Sequence, residues 1–323
     1  MSFTADTISG VDPFATPLRV LHVLQPTEAG VWRYASDMAQ FQSDHGWQVH
    51  VASPVRPDAD VPWLQWQAVR NPAKGVRDES RRLRGIVGQV RPDAVVAHSS
   101  KAGLVVRSTV RGTLPTVFLP HAWSFAALGG PVAIAARQWE KAAAAWTNAV
   151  VCVGEGEART GVAAGIRAPF FLVPNPVPPH WLTGTRRPLS DLGLAAAPDV
   201  VFVGRLSEQK GVDHLLAAWK RVRRARPDAS LLIVGDGPDR AALEAAAGPG
   251  VLFVGAVQDP WSYVESAPIS VLPSRWEGLS LSMLEAMASG RSMVVTDVDG
   301  SEVVRAAAGG AVVPVGDTTA MAR

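Results

Sequence analysis

The sequence has almost no cysteine, because Cys152 is the single one among 323 residues. An intrachain disulfide is therefore excluded, and this composition is typical of a reducing compartment. An excess of charge is also lacking, since 31 basic residues are balanced by 29 acidic ones. The nearly neutral net charge gives no indication of nucleic acid or of an acidic protein as a partner. A pI near 8.9 is compatible with anionic ligands.

Long apolar runs are absent as well. The longest weakly polar stretch, FAALGGPVAIAA, is broken by glycine and proline and is shorter than the ~18 residues of a membrane-spanning helix. The N-terminal stretch MSFTADTISGVDPFATPLRV has acidic residues and a proline where a secretory signal has a basic start and an apolar segment. We therefore expect a soluble, cytoplasmic protein.

What the sequence does contain is a regular alternation of short β-branched runs and helical patterns. The length and the 47% hydrophobic content suit two folded domains. Strands that are apolar on both faces and separated by helices indicate buried parallel sheets. The sequence thus predicts an α/β protein with two Rossmann-like, doubly wound domains facing each other across a cleft. We place an N-terminal domain at 1–175, a Pro- and Gly-rich linker at 176–198 and a C-terminal domain at 199–323. Helices are predicted at 30–45, 76–90, 101–111, 131–147, 156–164, 211–226, 238–247 and 281–289.

Charged and glycine residues follow two strands of the second domain. GRLSEQKG carries Arg205 and Lys210 directly after the strand VVFVG, and LLIVGDGPD places Gly235 and Asp236 after the next strand. Arginine offers a planar fork for phosphate oxygens and lysine a compact point charge. Because ligands bind beyond the carboxyl ends of parallel strands, these positions favour an anionic ligand over plain surface charge.

The segment WEGLSLSMLEA contains two acids, Glu277 and Glu285. We expect a helix to start at about Leu279, so that the backbone amides of Gly278, Leu279 and Ser280 are unpaired donors for an anion. Eight helical residues span ~12 Å, which is too far for the ~5 to 5.5 Å of a retaining glycosidase pair. The two acids are therefore interpreted as separate anchors for the hydroxyls of one elongated ligand.

The ordered set of motifs resembles the retaining GT-B glycosyltransferases of family 4. It consists of Gly-Arg-Leu-x3-Lys-Gly, Gly-Asp-Gly-Pro and Glu-x7-Glu, preceded by PTEAGVWRYASDMA, AHSSKAG and LPHAWSF. The resemblance implies transfer of a sugar from a nucleoside-diphosphate sugar, which is a substrate and not a cofactor, to a hydroxyl acceptor. It implies that Arg205 and Lys210 neutralise the diphosphate, that Glu277 binds hydroxyls of the donor sugar and Glu285 the ribose, and that His121 lies near the donor sugar.

The same resemblance assigns backbone positions. Gly30 would let amides approach the diphosphate, and Gly255 and Val257 would lie beside the base. No metal is implied, and the sequence suggests no metal ligands. The chain departs from the family pattern at Ala29, where a first glycine is usual, and at Gly154, where serine is common.

Three further expectations concern the whole chain. Relatives continue beyond VVPVGDTTAMAR with a helix that crosses back onto the first domain, so the C-terminal domain is predicted to be truncated. The alternatives to a transferase are a hydrolysing nucleotide-sugar epimerase of similar architecture and a non-catalytic sugar-nucleotide-binding protein. A dehydrogenase is disfavoured because no Gly-x-Gly-x-x-Gly follows LRVLHVL.

Several polar and aromatic residues of the first domain leave alternatives open. His98 suits either a role in the site or a helix cap with neighbouring serines, whereas Lys101 is expected to be solvated. Trp63 and Trp66, in the loop-like VPWLQWQ, suit either packing or an acceptor or lipid site. The basic helix within 74–91 is expected to be solvated, with peripheral contact to the inner face of the membrane as the alternative.

Overall fold

The computed structural model describes residues 16–25, 29–69, 75–177 and 187–323. The chain divides into two compact units, at 1–174 and 175–323. The predicted linker, 176–198, lies partly outside the described residues, at 178–186.

The first unit contains a parallel sheet whose strands lie in the order β3-β2-β1-β4-β5-β6-β7 among the described residues. Its strands are mostly buried, as expected for a sheet covered by helices on both faces. Its strands are β1 (Arg19–Leu24), β2 (Gln48–Ser53), β3 (Trp63–Gln65), β4 (Ala94–His98), β5 (Thr116–Leu119), β6 (Ala149–Cys152) and β7 (Phe170–Leu172). Its helices are α1 (Ala29–Asp44), α2 (Val76–Val90), α3 (Ser99–Val110), α4 (Ser124–Ala127), α5 (Gly130–Ala143) and α6 (Glu155–Ala163).

The second unit repeats the design with the order β10-β9-β8-β11-β12-β13, again with parallel neighbours. Its strands are β8 (Val200–Val203), β9 (Leu231–Val234), β10 (Val251–Gly255), β11 (Ile269–Leu272), β12 (Ser292–Thr296) and β13 (Gly310–Val313). Its helices are α7 (Val212–Ala225), α8 (Arg240–Ala246), α9 (Pro260–Glu265), α10 (Leu281–Ala288), α11 (Glu302–Ala306) and α12 (Thr318–Met321). The prediction of two doubly wound parallel sheets is confirmed.

The direction of chain progression reverses next to the first strand of each sheet. β1 lies between β2 and β4, and β8 lies between β9 and β11. At such a switch point the loops leaving the two central strands turn to opposite faces, which opens a crevice at the carboxyl ends of the strands. Within each unit, a ligand site is therefore expected at the loops that follow these strands, which are β1 and β4 in the first unit and β8 and β11 in the second.

Two expectations for the first unit are wrong. VPWLQWQ is not a loop, because Trp63 begins strand β3 and Trp66 is fully buried, with its indole N–H donating to the Glu79 carbonyl oxygen at 3.1 Å. Trp66 therefore belongs to the core. Lys101 is not solvated either: its side chain is 4% exposed, and Nζ lies 2.8 Å from the Glu79 carboxylate. Sequence patterns did not reveal this pair because its members lie on two different helices, α3 and α2.

The core of the first unit contains a second buried ion pair. The Arg107 guanidinium lies 2.8 Å from the Glu140 carboxylate, and the two side chains are 1% and 3% exposed. Arg107 also stacks over the Phe118 ring at 3.8 Å and donates to the Gly103 carbonyl oxygen. The pair joins α3 to α5.

Helix α2 agrees with the predicted range 76–90. Its apolar side, including Leu83, Ile86 and Val90, is buried, whereas its arginines are exposed. Among the described residues, no helix is both long enough and apolar enough to cross a membrane.

Candidate functional site

In the second unit, the loops that follow β8 and β9 pack directly on each other. Gly235 has a φ of 133°, and a Cβ there would lie 1.9 Å from the Gly204 carbonyl oxygen. A Cβ on Gly237 would lie 2.2 Å from the Leu206 carbonyl oxygen, and the Leu206 amide donates to the Asp236 carbonyl oxygen at 2.9 Å. Glycine is therefore required in Gly-Asp-Gly by the contact between two loops, independently of any ligand.

The loops that follow β8 and β11 are joined by a buried ion pair. Nζ of Lys210 donates to Oε1 of Glu277 at 2.5 Å, and the side chains are 15% and 7% exposed. The Ser274 hydroxyl donates to the same oxygen at 2.7 Å. Gly211, with a φ of 60°, lets the loop approach because a Cβ there would lie 2.2 Å from the Pro273 carbonyl oxygen. The structure thus brings together two residues that the sequence singled out separately.

A second, more exposed bridge supports the same two loops. Arg275 donates to both carboxylate oxygens of Asp213, at 2.8 and 2.7 Å, and to the Glu208 carbonyl oxygen at 2.7 Å. Hydrogen bonding from Arg275 holds the pKa of the Asp213 carboxyl below its ordinary value. The amide of Arg275 donates to the Gln209 carbonyl oxygen. Sequence reasoning missed Arg275, Asp213 and Ser274, because their pairing depends on the neighbouring positions of β8 and β11 in the sheet.

The helix after β11 agrees with the predicted range 281–289, but it begins later than the start at about Leu279 from which the unpaired amides were inferred. α10 starts at Leu281 with Ser280 as its N-cap residue, so the start expected at Leu279 is wrong by two residues. The unpaired amides of the first turn include that of Ser280, whereas those of Gly278 and Leu279 precede the helix. Glu277, Gly278 and Ser280 line a small hollow beside this turn.

The other predicted residues of the second unit have varied surroundings. Arg205 is half-buried directly after Gly204, and Glu285 is buried within α10. Leu279 is also buried, and its carbonyl oxygen accepts from the Asn175 amide at 2.6 Å. Val257 packs beside the apolar cluster around Leu192.

Asp236 and Gly255 share a neighbour, Arg240. The Arg240 guanidinium lies 2.9 Å from the Asp236 carboxylate. The pKa of Asp236 is held below its ordinary value by the Gly237 amide and by Arg240. A Cβ on Gly255 would lie 2.9 Å from the same guanidinium. Arg240 is a further cation at the carboxyl ends of β9 and β10 that sequence reasoning missed.

In the first unit, three imidazoles form a continuous chain, here called the histidine cluster: His22, His98 and His121. Nδ1 of His22 lies 2.9 Å from Nε2 of His98, and Nδ1 of His98 lies 3.2 Å from Nε2 of His121. Gln42 Oε1 lies 2.7 Å from Nε2 of His22, and the Tyr34 ring packs edge-on against His98 and His121. Desolvation lowers the pKa of His22 and of His121 to about 4, and it lowers that of His98 well below its ordinary value. All three rings are therefore neutral at pH 7.

The position of His98 excludes one of the two alternatives left open for it. It is the residue before α3, but its side chain makes no capping hydrogen bond, so the capping alternative is wrong. Its ring is fully buried between His22 and His121.

His121 lies on a strained turn after β5. His121 and Ala122 have φ angles of 51° and 83°, which non-glycine residues rarely adopt. The buried Glu157 carboxylate holds the turn by accepting from the amides of Ala122 at 2.7 Å and Val153 at 2.9 Å. Such strain persists where surrounding contacts enforce it, and it is frequent at functional sites.

Gly30, the remaining predicted site residue, is the second residue of α1 and is exposed. The residues of its motif at 26–28 lie outside the described part of the chain. The structure thus joins Lys210 to Glu277 and brings Asp236 and Gly255 next to Arg240, while Glu285 lies within α10. His121 and Gly30 belong to the first unit. Within the described ranges, no group of three or more His, Cys, Asp or Glu side chains is arranged to hold a metal ion.

Comparison with known proteins agrees with these two units. The model of Glycosyltransferase Family 4 matches residues 29–181, and the model of Glycosyl transferases group 1 matches residues 197–323. The chain therefore belongs to the glycosyltransferases that these two models describe, Family 4 in its first half and group 1 in its second half.

Curated relatives match over shorter segments. The chain is 34% identical over 138 residues to alpha-D-kanosaminyltransferase of Streptomyces kanamyceticus, covering 40% of this chain and 36% of the relative. It is 32% identical over 154 residues to the lipopolysaccharide core biosynthesis mannosyltransferase LpsB of Rhizobium meliloti, covering 42% of this chain and 44% of the relative. The chain thus spans less than half the length of these curated relatives.

Solved structures share the fold over nearly the whole chain. A sucrose-phosphate synthase from Thermosynechococcus elongatus has a TM-score of 0.79 at 18% identity, covering 94% of this chain and 87% of that one. HepE from Anabaena, crystallised with UDP and glucose, has a TM-score of 0.75 at 18% identity, covering 94% and 88%. At this identity the likeness concerns the GT-B fold alone.

Proposed function

We propose that the protein is a retaining, metal-independent glycosyltransferase that moves a sugar from a nucleoside-diphosphate sugar to a hydroxyl group. The acceptor would be a saccharide, a lipid-linked precursor or a small metabolite. The single observation that carries the proposal is the Lys210–Glu277 pair, which sets a cation and an acid side by side at the carboxyl ends of β8 and β11.

The two oxygens of Glu277 have different surroundings. Oε1 accepts hydrogen bonds from Lys210 and Ser274, whereas Oε2 has no hydrogen-bond partner among the residues that the structure describes. The first oxygen therefore fixes the carboxylate, and the second is available to accept a hydrogen bond from a sugar hydroxyl. A carboxylate held in one orientation loses little entropy when it binds a ligand.

Lys210 supplies charge where the leaving group forms. Its ammonium is a point charge with three donors, of which Glu277 uses one. A diphosphate oxygen can take another donor, and Arg205, on the same loop, would supply a second cation. Cations that stabilise a departing diphosphate lower the barrier more than they lower the energy of the bound donor, which is the condition for catalysis.

The remaining assignments belong to the same proposal. Glu285 would bind the ribose, and His121 would hydrogen-bond the donor sugar or the acceptor. The amide of Ser280 would meet the diphosphate at the start of α10. Retention would proceed through an oxocarbenium-like transition state in which a leaving phosphate oxygen accepts the acceptor's proton. The further backbone and side-chain contacts to the donor would come from Gly30, Gly235, Asp236, Gly255, Val257, Gly278 and Leu279.

A donor screen tests the proposal. Release of nucleoside diphosphate is measured for UDP-, GDP-, ADP- and dTDP-sugars with and without candidate acceptors, beginning with UDP-glucose because HepE was crystallised with it. Lys210→Met and Glu277→Gln should abolish release. Lys220→Met and Glu302→Gln are matched controls, since Lys220 is exposed on α7 and Glu302 begins α11.

The products distinguish the alternatives. Transfer with the anomeric configuration of the donor, undiminished by EDTA, supports the full proposal. Inversion of the anomeric centre or loss of activity in EDTA would contradict its mechanistic part. An epimerised free sugar would indicate the hydrolysing epimerase, and donor binding without any turnover would indicate a non-catalytic binding protein.

A further inference from the structure

The histidine cluster is a chain of hydrogen bonds, and a single histidine that contacts a ligand would not need such a chain. His22 on β1, His98 at the end of β4 and His121 after β5 are joined ring to ring, and Gln42 on α1 closes the chain at the buried end. His22 and His98 are fully buried, whereas His121 keeps partial exposure. The chain therefore has an interior end and an outer end.

The hydrogen bonds define the proton on each ring. A neutral imidazole has one N–H donor and one acceptor nitrogen. Because the amide oxygen of Gln42 only accepts, Nε2 of His22 carries the hydrogen and Nδ1 of His22 accepts. His98 then donates from Nε2 and accepts at Nδ1, and His121 donates from Nε2. The outermost nitrogen, Nδ1 of His121, is left unprotonated, and it has no hydrogen-bond partner within the described residues.

We propose that Gln42, His22 and His98 are positioning residues that hold His121 in the Nε2–H tautomer, so that it offers only an acceptor, Nδ1, to a ligand. The inference rests on the proposed function for the identity of that ligand: the group that meets His121 is a sugar or acceptor hydroxyl, which donates, and not a phosphate oxygen. Two features keep the chain in one state. Burial disfavours protonation of all three rings, as their lowered pKa values indicate, and the Tyr34 ring packs against the outer two.

The orientation of the Gln42 amide decides the direction of the whole chain. If its nitrogen faced His22, every proton along the cluster would move to the opposite nitrogen, and His121 would present Nδ1–H as a donor. The observed orientation places the amide oxygen on His22. No intermediate arrangement satisfies both ring-to-ring contacts and the Gln42 contact with neutral imidazoles.

Nitrogen NMR on histidine-labelled protein reads the tautomers directly and needs no donor sugar. The signals of the seven histidines are assigned with single substitutions of the histidines outside the cluster. The couplings of each ring nitrogen to the protons on the ring carbons then identify Nδ1 and Nε2. We expect His22, His98 and His121 each to show a protonated Nε2 and an unprotonated Nδ1 at pH 7. Protonated Nδ1 signals on the three rings, or a mixture of tautomers on His121, would overturn the proposal.

A variant pair separates positioning from folding. Gln42→Leu removes the acceptor at the interior end, so His121 should lose its single tautomer. Gln40→Leu, two residues away on α1, removes an amide that bonds to Asp44 and to the Asp60 amide and not to the cluster, so the tautomers should persist. If Gln42→Leu folds and leaves the His121 signals unchanged, Gln42 does not set the direction.

The transfer assay then tests the consequence. With the tautomers confirmed, Gln42→Leu should lower kcat while the affinity for nucleoside diphosphate is unchanged, because the perturbed group meets a hydroxyl and not the phosphates. If kcat and the affinity for nucleoside diphosphate fell by the same factor, the assignment of a hydroxyl as the ligand of His121 would be contradicted. Absence of any transferase activity in the parent would instead refute the proposed function and leave the NMR result intact.

Discussion

Opposite effects on nucleoside diphosphate binding are expected from the two members of the Lys210–Glu277 pair. In the free protein the Lys210 ammonium is shared with Glu277 through a contact of 2.5 Å. Lys210→Met removes a charged donor, and such hydrogen bonds contribute ~1.5–3 kcal/mol. Binding of nucleoside diphosphate should therefore weaken about ten- to hundred-fold.

Glu277→Gln removes a negative charge near the expected phosphate. A phosphate oxygen on the far side of the ammonium would lie at roughly twice the Nζ–Oε1 contact, about 5 Å from Oε1. At an effective dielectric of about 20, two unit charges at that distance repel by about 3 kcal/mol, which water and the remaining amide dipole reduce. We expect about five-fold tighter binding of nucleoside diphosphate, which corresponds to ~1 kcal/mol. Turnover of the complete donor should nevertheless fall, because the sugar loses its carboxylate.

Isothermal titration calorimetry with nucleoside diphosphate that carries no sugar measures the two effects. Thermal unfolding of each variant is recorded in parallel, since Lys210→Met leaves a nearly buried carboxylate whose remaining donor among the described residues is Ser274. If Glu277→Gln weakened binding as much as Lys210→Met without any change in thermal stability, the assignment of the phosphate to Lys210 would be refuted.

Three further predictions concern the framework of the site. Gly235→Ala should destabilise its unit by about 1–3 kcal/mol or more in urea unfolding, because its Cβ would meet a backbone oxygen at 1.9 Å, whereas Gly85→Ala, with open space around it, should be neutral or stabilising. Glu140→Ala should cost ~3–5 kcal/mol by leaving the buried Arg107 charge unpaired, and a cost below that of an exposed pair would contradict the buried geometry. In the histidine cluster, the folded pKa values of His22 and His121, near 4, lie below the unfolded value of 6.5. The unfolded chain therefore binds more protons than the folded chain between pH 4 and 6.5. The free energy of unfolding should fall as the pH decreases from about 6.5 to 4, by up to ~1.4 kcal/mol per pH unit for each histidine. His98→Asn should flatten this dependence, and an unchanged slope would place the responsible groups elsewhere.

The fold was largely predictable because its signals are local. Buried parallel strands read as short apolar runs between helices, and helix α2 occupies the predicted range 76–90. The exceptions were short elements whose patterns resemble loops. Strand β3 has three residues, too few for alternation to be visible, and β13 begins with Gly310, a weak strand former.

The candidate site was predictable in its members but not in their pairing. Lys210 and Glu277 were named separately from their motifs, and their contact depends on β8 and β11 being neighbours in the sheet. Arg275 and Glu157 were not singled out, because their roles arise from hydrogen bonds to the backbone of loops distant in sequence. Such contacts have no periodicity that a sequence pattern can show.

The contacts between loops require glycines in the second unit, whether or not a ligand binds. Gly211 and Gly235 let the loop after β8 touch the loops after β11 and β9, where a Cβ would collide with backbone oxygens. A glycine-rich strand end therefore indicates close loops and does not by itself indicate a nucleotide. The charges give the more specific signal, because the Glu277 side chain is only 7% exposed and its carboxylate is fixed through one oxygen by Lys210 and Ser274. This fixed carboxylate is the physical argument for a hydroxyl ligand at Glu277, and the glycines are the means by which the backbone brings Lys210 close enough to hold the acid in place.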